Sequence, residues 1–226
     1  MKTSPAKLLD PAIDRASAHW RDLRPMYYYS RGKMRWDPAY ALLAKLLGSA
    51  TTPVLDVGCG AGLLASFLRE SGVHRPWRGV DLDTKKIQLA QDRIASAYPG
   101  MQFFSGNAAD CRPASEDLVA LDVLHYFSTA EQIELLQNWA HALSPGHRMF
   151  LRNGVRDAVG WRHLMTSLEE AWVRGSGWIR GGQWNFPAKA QVLATLRGAG
   201  LQVVAVPMWG RTPFSSYLFV AHRLRA

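Results

Sequence analysis

The chain has 226 residues, 48% of them hydrophobic, which is enough for a buried core and too apolar for a chain that stays disordered. Its formal net charge of +9 is unevenly spread: residues 1–50 carry +5, 51–147 carry −4 and 148–226 carry +8. No apolar run approaches a membrane span, Asp10, Asp14 and His19 interrupt any signal-peptide core, and the two cysteines, Cys59 and Cys111, make neither a zinc pattern nor a disulfide framework.

These features predict one cytoplasmic domain with length left for a cap. The basic flanks suit an anionic partner, such as an acidic carrier protein, a membrane surface or nucleic acid, or else are ordinary solvated arginines. Residues 1–50 read as a helical cap that does not fold alone, with helices in PAKLLDPAIDRASAHWRDL and DPAYALLAKLLGSA joined by RPMYYYSRGKMRW. From residue 51 strands and helices alternate, the pattern of an α/β sheet. PVLDV is a first buried strand, and AGLLASFLRESG a helix with Leu63, Leu64, Phe67 and Leu68 on one face. PWRGVDLD is a second strand, TKKIQLAQDRIASAYPG a helix, MQFFSG a third strand, and EDLVALDVLHYF holds a fourth. STAEQIELLQNWAHALSPG opens on Ser128 and Glu131, a capping-box pair. HRMFLRN is a fifth strand, GWRHLMTSLEEAW and AKAQVLATLRGAG are helices, and LQVVAVPMW and SSYLFVAHRL are late strands able to pair antiparallel.

The stretch VLDVGCGAG ends the first strand in alternate glycines, Gly58, Gly60 and Gly62, with Cys59 between the first two. Without Cβ atoms the backbone can turn sharply and approach a ligand closely, and the following helix offers N–H groups to a carboxylate or phosphate. Asp81 ends the second strand about 20 residues on, a spacing at which a carboxylate receives both hydroxyls of a ribose. Asn107, after the third strand, can donate to and accept from an adenine edge. The G-x-G-x-G spacing departs from the dinucleotide fingerprint, and the turn lacks a P-loop lysine.

VLDVGCGAG, GVDLD, GNAAD and LDVLHYF together resemble the successive motifs of class I S-adenosylmethionine-dependent methyltransferases, over roughly residues 52–153. The resemblance implies a three-layer, doubly wound, Rossmann-like α/β fold with a seven-stranded, mostly parallel sheet and an antiparallel last strand. The methyltransferase domain would span 51–226. S-adenosylmethionine would be the cofactor and S-adenosylhomocysteine the product. Asp56 and the glycine turn would hold the methionine part, Asp81 and Leu82 the ribose region, and Asn107 and Ala108 the adenine. Leu121 and Asp122 would line the methionine side. Asn107 stands where aspartate is commonest in the family.

His125 and Tyr126 follow the fourth strand, where acceptors lie in such folds, and His125 is a candidate general base or a pocket-wall residue. Tyr27, Tyr28, Tyr29, Lys33 and Trp36 in the proposed lid could stack on a flat acceptor or simply pack the cap, with Tyr29 and Tyr126 further catalytic candidates. Trp161, Leu164, Met165, Leu168 and Trp172 repeat at helical spacing, a core stripe or a membrane-contact face. LDVLH replaces the Asn/Asp-Pro-Pro-aromatic motif of amino-directed nucleic-acid methyltransferases, which disfavours nucleic acid, although a tRNA methyltransferase and a non-catalytic cofactor-binding scaffold remain the alternatives. RGKMRWDPAYALL, DVLHYF and GRTPFSSYLFVA are similar to small bacterial methyltransferases of fatty-acid-like, polyketide and aryl-polyene pathways. That similarity implies a small aromatic or acyl acceptor, free or on an acyl carrier protein.

Overall fold

Four residues suffice for the first strand, β1 (Val54–Val57), because all four are buried and a strand covered on both faces needs no alternation. The computed structural model describes residues 5–48, 50–113, 115–156, 185–209 and 215–223. The helix expected over GWRHLMTSLEEAW, with its stripe from Trp161 to Trp172, lies outside them. The described strands form one sheet in the order β3-β2-β1-β4-β5-β7-β6. They are β2 (Trp77–Asp81), β3 (Met101–Ser105), β4 (Asp117–Leu121), β5 (Arg148–Gly154), β6 (Gln202–Pro207) and β7 (Ser216–His222). β1 with β2, β2 with β3 and β4 with β5 run parallel, whereas β7 is antiparallel to both β5 and β6. This is the mostly parallel seven-stranded sheet with an antiparallel last strand that the motifs implied.

The chain divides into two compact units, Met1–Asp110 and Cys111–Ala226. In the first, α1 (Pro5–Ala18), α2 (Arg24–Trp36) and α3 (Pro38–Leu47) precede the strands, α4 (Leu63–Glu70) follows β1, and α5 (Thr84–Ala90) runs into a π-type turn, Gln91–Ala95. The segment RPMYYYSRGKMRW, expected as a link, is therefore itself helical. Pro25 occupies its first turn, where no backbone N–H is needed. Ser30 and Met34 supply its buried face, and the Arg31 guanidinium donates to the Tyr27 hydroxyl one turn back at 3.2 Å.

α1 packs against α2 and α4, with Ala16 and Trp20 at zero exposure. A polar cluster ties this end down. Arg15 pairs with Glu70, which also accepts from the Tyr98 hydroxyl at 2.6 Å. Because that hydroxyl proton is committed, His19 Nε2 must be the donor to Tyr98 at 2.7 Å. Burial, ahead of the neighbouring charges, holds the His19 imidazole below its ordinary pKa. Arg93 grips Asp22 through both carboxylate oxygens, at 2.6 and 2.8 Å, and holds that carboxyl down at about 2.

In the second unit, α6 (Thr129–Ala142) begins with the expected capping box, Ser128 with Glu131. It buries Leu135, Leu136 and Trp139. α7 (Lys189–Gly198) packs against α6 and β6 and buries Val192 and Leu196. Among the described helices none is long and apolar enough to cross a membrane. Both cysteines are buried, and neither is in a disulfide.

Candidate functional site

At the end of β1 the chain turns through Gly58, Gly60 and Gly62 with φ of +75°, +54° and +77°. These left-handed conformations strain any residue with a Cβ, so the alternate glycines are a backbone requirement. The N–H groups of Gly58 and Cys59 both donate to the Val80 carbonyl, at 2.7 and 3.2 Å, which fastens the turn to β2. The next N–H, from Gly60, donates to Asp81 Oδ2 at 2.8 Å. Asp81 Oδ1 accepts from the Asp83 N–H at 2.9 Å. The structure thus brings the glycine turn and the predicted ribose acceptor together directly. Each Asp81 oxygen retains acceptor capacity beyond its one backbone bond.

Asn107 and Ala108 follow β3. The Asn107 side-chain oxygen accepts from the Ala109 N–H at 3.0 Å and so shapes a short turn, Ala108–Asp110. Leu82, next to Asp81, is 76% exposed.

Asp56 is the anomaly of this edge. Its side chain is 2% exposed, and its Oδ2 has no hydrogen-bond partner. Burial, and to a smaller degree the charge of Asp81, pushes its carboxyl up to about 7, while the Trp77 indole partly offsets the shift without reaching good hydrogen-bond geometry. A buried carboxylate oxygen without a donor is expensive to maintain, and a cationic partner would satisfy it.

Two residues under the turn were missed in the sequence. Gly79 lies in β2 opposite Asp56. A Cβ there would come within 2.5 Å of the Phe103 ring and 2.8 Å of Cys59 Sγ. The same ring lies 3.2 Å from where a Cβ of Gly62 would stand. Phe103 therefore props the turn from below, and a glycine inside a strand was the available signal for so close an approach.

The lid candidates all fall on α2. Tyr28, Tyr29 and Trp36 are 69%, 46% and 50% exposed. Tyr27 is half-buried and meets Tyr28 edge-on at 5.3 Å, while Lys33 pairs with Asp37 at 3.1 Å.

In the second unit Leu121 ends β4, and Asp122 follows with φ +59°, the one described non-glycine residue at positive φ. Its N–H donates to the Arg152 carbonyl at 2.7 Å, and its carboxylate pairs with the Arg152 guanidinium. A strained backbone held by two bonds to one residue is characteristic of functional turns. His125 sits in the 3-10 turn Leu124–Tyr126 and is 5% exposed. Its ring lies 4.2 Å from that of Tyr126 and 5.5 Å from that of Phe186. Tyr126 itself is 53% exposed.

Side chains distant in sequence hold this turn. Asn153 Oδ1 accepts from the Leu124 N–H at 3.2 Å. The fully buried Gln132 turns its amide nitrogen toward three carbonyls, those of Leu124, Phe127 and Asn185, at 3.0, 3.1 and 2.6 Å. No local pattern announced these contacts. Among the described residues no group of three or more His, Cys, Asp or Glu could hold a metal ion.

Residues 54–146 match the model of a family described as a methyltransferase domain. A ubiquinone biosynthesis O-methyltransferase of Idiomarina loihiensis is 29% identical over 162 residues, covering 68% of this chain and 63% of that protein. Another of the same name, from Xylella fastidiosa, is 27% identical over 222 residues, covering 85% and 83%. Magnesium protoporphyrin IX methyltransferase from Synechocystis, solved with bound S-adenosylhomocysteine, shares the fold with a TM-score of 0.63 at 20% identity, covering 82% and 80%.

Proposed function

We infer that this chain, which belongs to the class I S-adenosylmethionine-dependent methyltransferases by its matched domain and its sheet, methylates an oxygen of a small aromatic acceptor. One observation carries the cofactor half of that reading: the buried Asp56 carboxylate with an unpartnered oxygen beside three left-handed glycines. An amino acid joined to a nucleoside suits this edge because its ammonium would meet Asp56 and its carboxylate the bare backbone of the turn. Asp81 would accept from the ribose hydroxyls, Asn107 and Ala108 would read the adenine edge, and Leu82 and Cys59 would cover its surroundings. Leu121 and Asp122 are proposed for the methionine side.

When bound, the cofactor supplies a methyl group already activated on a sulfonium. The protein's own work is to position the acceptor, exclude water and remove a proton where the acceptor is a weak nucleophile. We assign proton removal from a phenolic hydroxyl to an imidazole nitrogen of His125. Tyr126, Tyr27, Tyr28, Tyr29, Lys33 and Trp36 are assigned to recognition of the acceptor, with Tyr126 and Tyr29 its hydroxyl-bearing contacts. The oxygen assignment is supported by the names of the relatives. The net charge of +8 in residues 148–226 supports delivery of the acceptor on an acidic carrier protein or at an anionic membrane surface. An aryl-polyene intermediate is the carrier-borne form of that acceptor.

A methyl-transfer assay over a panel of phenols and catechols tests the reading. His125→Ala should leave cofactor affinity unchanged and lower turnover by about 100-fold, within the usual contribution of a general base. Full turnover would return His125 to a packing role.

A further inference from the structure

We infer that Phe186 is a positioning residue for the His125 imidazole, seated by Gly154 and Asn185. This rests on the reading of His125 as the acceptor-side base. The Phe186 ring lies 5.5 Å from the His125 ring. On another side, a Cβ built on Gly154 would come within 2.8 Å of the same phenyl ring. Gly154 has no positive φ, so its want of a side chain is explained by this contact, not by the backbone.

Asn185 fixes the approach. Its N–H donates to the His125 carbonyl at 2.9 Å, and its amide nitrogen donates to the Phe127 carbonyl at 3.1 Å and to Thr129 Oγ1 at 3.2 Å. Its own carbonyl accepts from Gln132 at 2.6 Å, and Gln132 also holds Leu124. The bonds close a ring around the turn: His125 to Asn185, Asn185 to Gln132, Gln132 to Leu124. Phe186, adjoining Asn185 in the chain, presents its ring beside His125 and over Gly154. The phenyl ring, tilted 51° to the imidazole, confines it sterically and sets its orientation.

The test compares Phe186→Ala, Phe186→Leu, Gly154→Ala and His125→Ala in the full chain. His125 reactivity toward diethyl pyrocarbonate, mapped by mass spectrometry, reads the imidazole's confinement without any acceptor. Turnover is measured on the phenol that the wild type methylates fastest. Phe186→Ala and Gly154→Ala should raise His125 reactivity several-fold and lower kcat by about 10- to 100-fold, with KM for the cofactor unchanged. Phe186→Leu should recover part of both. In the His125→Ala background, Phe186→Ala should cause no further loss. Unchanged His125 reactivity in a folded Phe186→Ala or Phe186→Leu protein overturns the inference, as does an additive loss in the double variant. Full turnover of His125→Ala, with reactivity still raised by Phe186→Ala, leaves the positioning intact and removes the role assigned to the base.

Discussion

The two units build their sites by different means. In the first, the ligand edge is made of contiguous backbone: three left-handed glycines, the N–H groups of residues 58–60 and the carboxylate that the third of these meets on β2. In the second, the turn around His125 is held by Gln132, Asn153 and Asn185, which lie 7 to 60 positions from His125 in the chain. Backbone-built sites leave a spaced motif in the sequence, whereas side-chain-built sites leave only scattered polar residues. The first unit therefore tolerates substitution least at glycines and single carboxylates, and the second at buried amides.

Asp56→Asn gives the largest contrast. Truncating one member of a buried charge pair should weaken S-adenosylmethionine binding on the order of 100-fold. The same change should raise the melting temperature, because burying an unpartnered charge opposes folding. The linkage has a definite sign. The folded carboxyl titrates near 7 against an ordinary 3.8, so the folded chain binds the extra proton between those values, and its ionisation costs stability as pH rises through that window. Asp56→Asn should gain most above pH 7 and nothing below pH 3.8. A fall in stability across the neutral range would place Asp56 in the scaffold instead. The same titration predicts that wild-type affinity for the cofactor weakens as pH drops below about 7, approaching tenfold per unit, when the carboxyl is no longer ionised to meet an ammonium.

Asp81→Ala comes next, with an expected loss of at least about tenfold in cofactor affinity and a persisting fold by circular dichroism. Gly79→Ala should be milder in binding and worse in stability. Its Cβ would overlap both Phe103 and Cys59, and overpacking of this kind costs about 1–3 kcal/mol in chemical denaturation. In the second unit Gln132→Leu should cost about 1–3 kcal/mol, because the carbonyls of Leu124, Phe127 and Asn185 lose their shared donor. Cofactor affinity should not change. Equal loss of affinity in Gln132→Leu and Asp81→Ala would dissolve the contrast between the units.

The same contrast governs how much of the fold and site is legible in the sequence. Six of the seven strands were legible as short apolar runs closed by Gly, Pro or Asp, and β7 as the apolar run SYLFVAH. The cofactor edge was legible because Asp56, the glycines, Asp81 and Asn107 follow three successive strand ends. The helix Arg24–Trp36 was not, since three tyrosines and Gly32 are indifferent helix formers and only tertiary burial of Ser30 and Met34 selects the helix. Nothing in the sequence singles out Trp77 and Phe103, because their placement near Asp56 and the glycine turn depends on strand register. Phe186 and Gly154 lie 32 positions apart, and nothing in either neighbourhood announces that one was emptied to admit the other.

The central claim is that the strand ends of the first unit grip a nucleoside joined to an amino acid. Isothermal titration of S-adenosylhomocysteine into wild type, Asp56→Asn and Asp81→Ala, with a nicotinamide dinucleotide as control, addresses it most directly. The account predicts one site per wild-type chain, marked weakening in both variants and no heat from the dinucleotide. Unchanged affinity in both variants, or saturable binding of the dinucleotide, would contradict it.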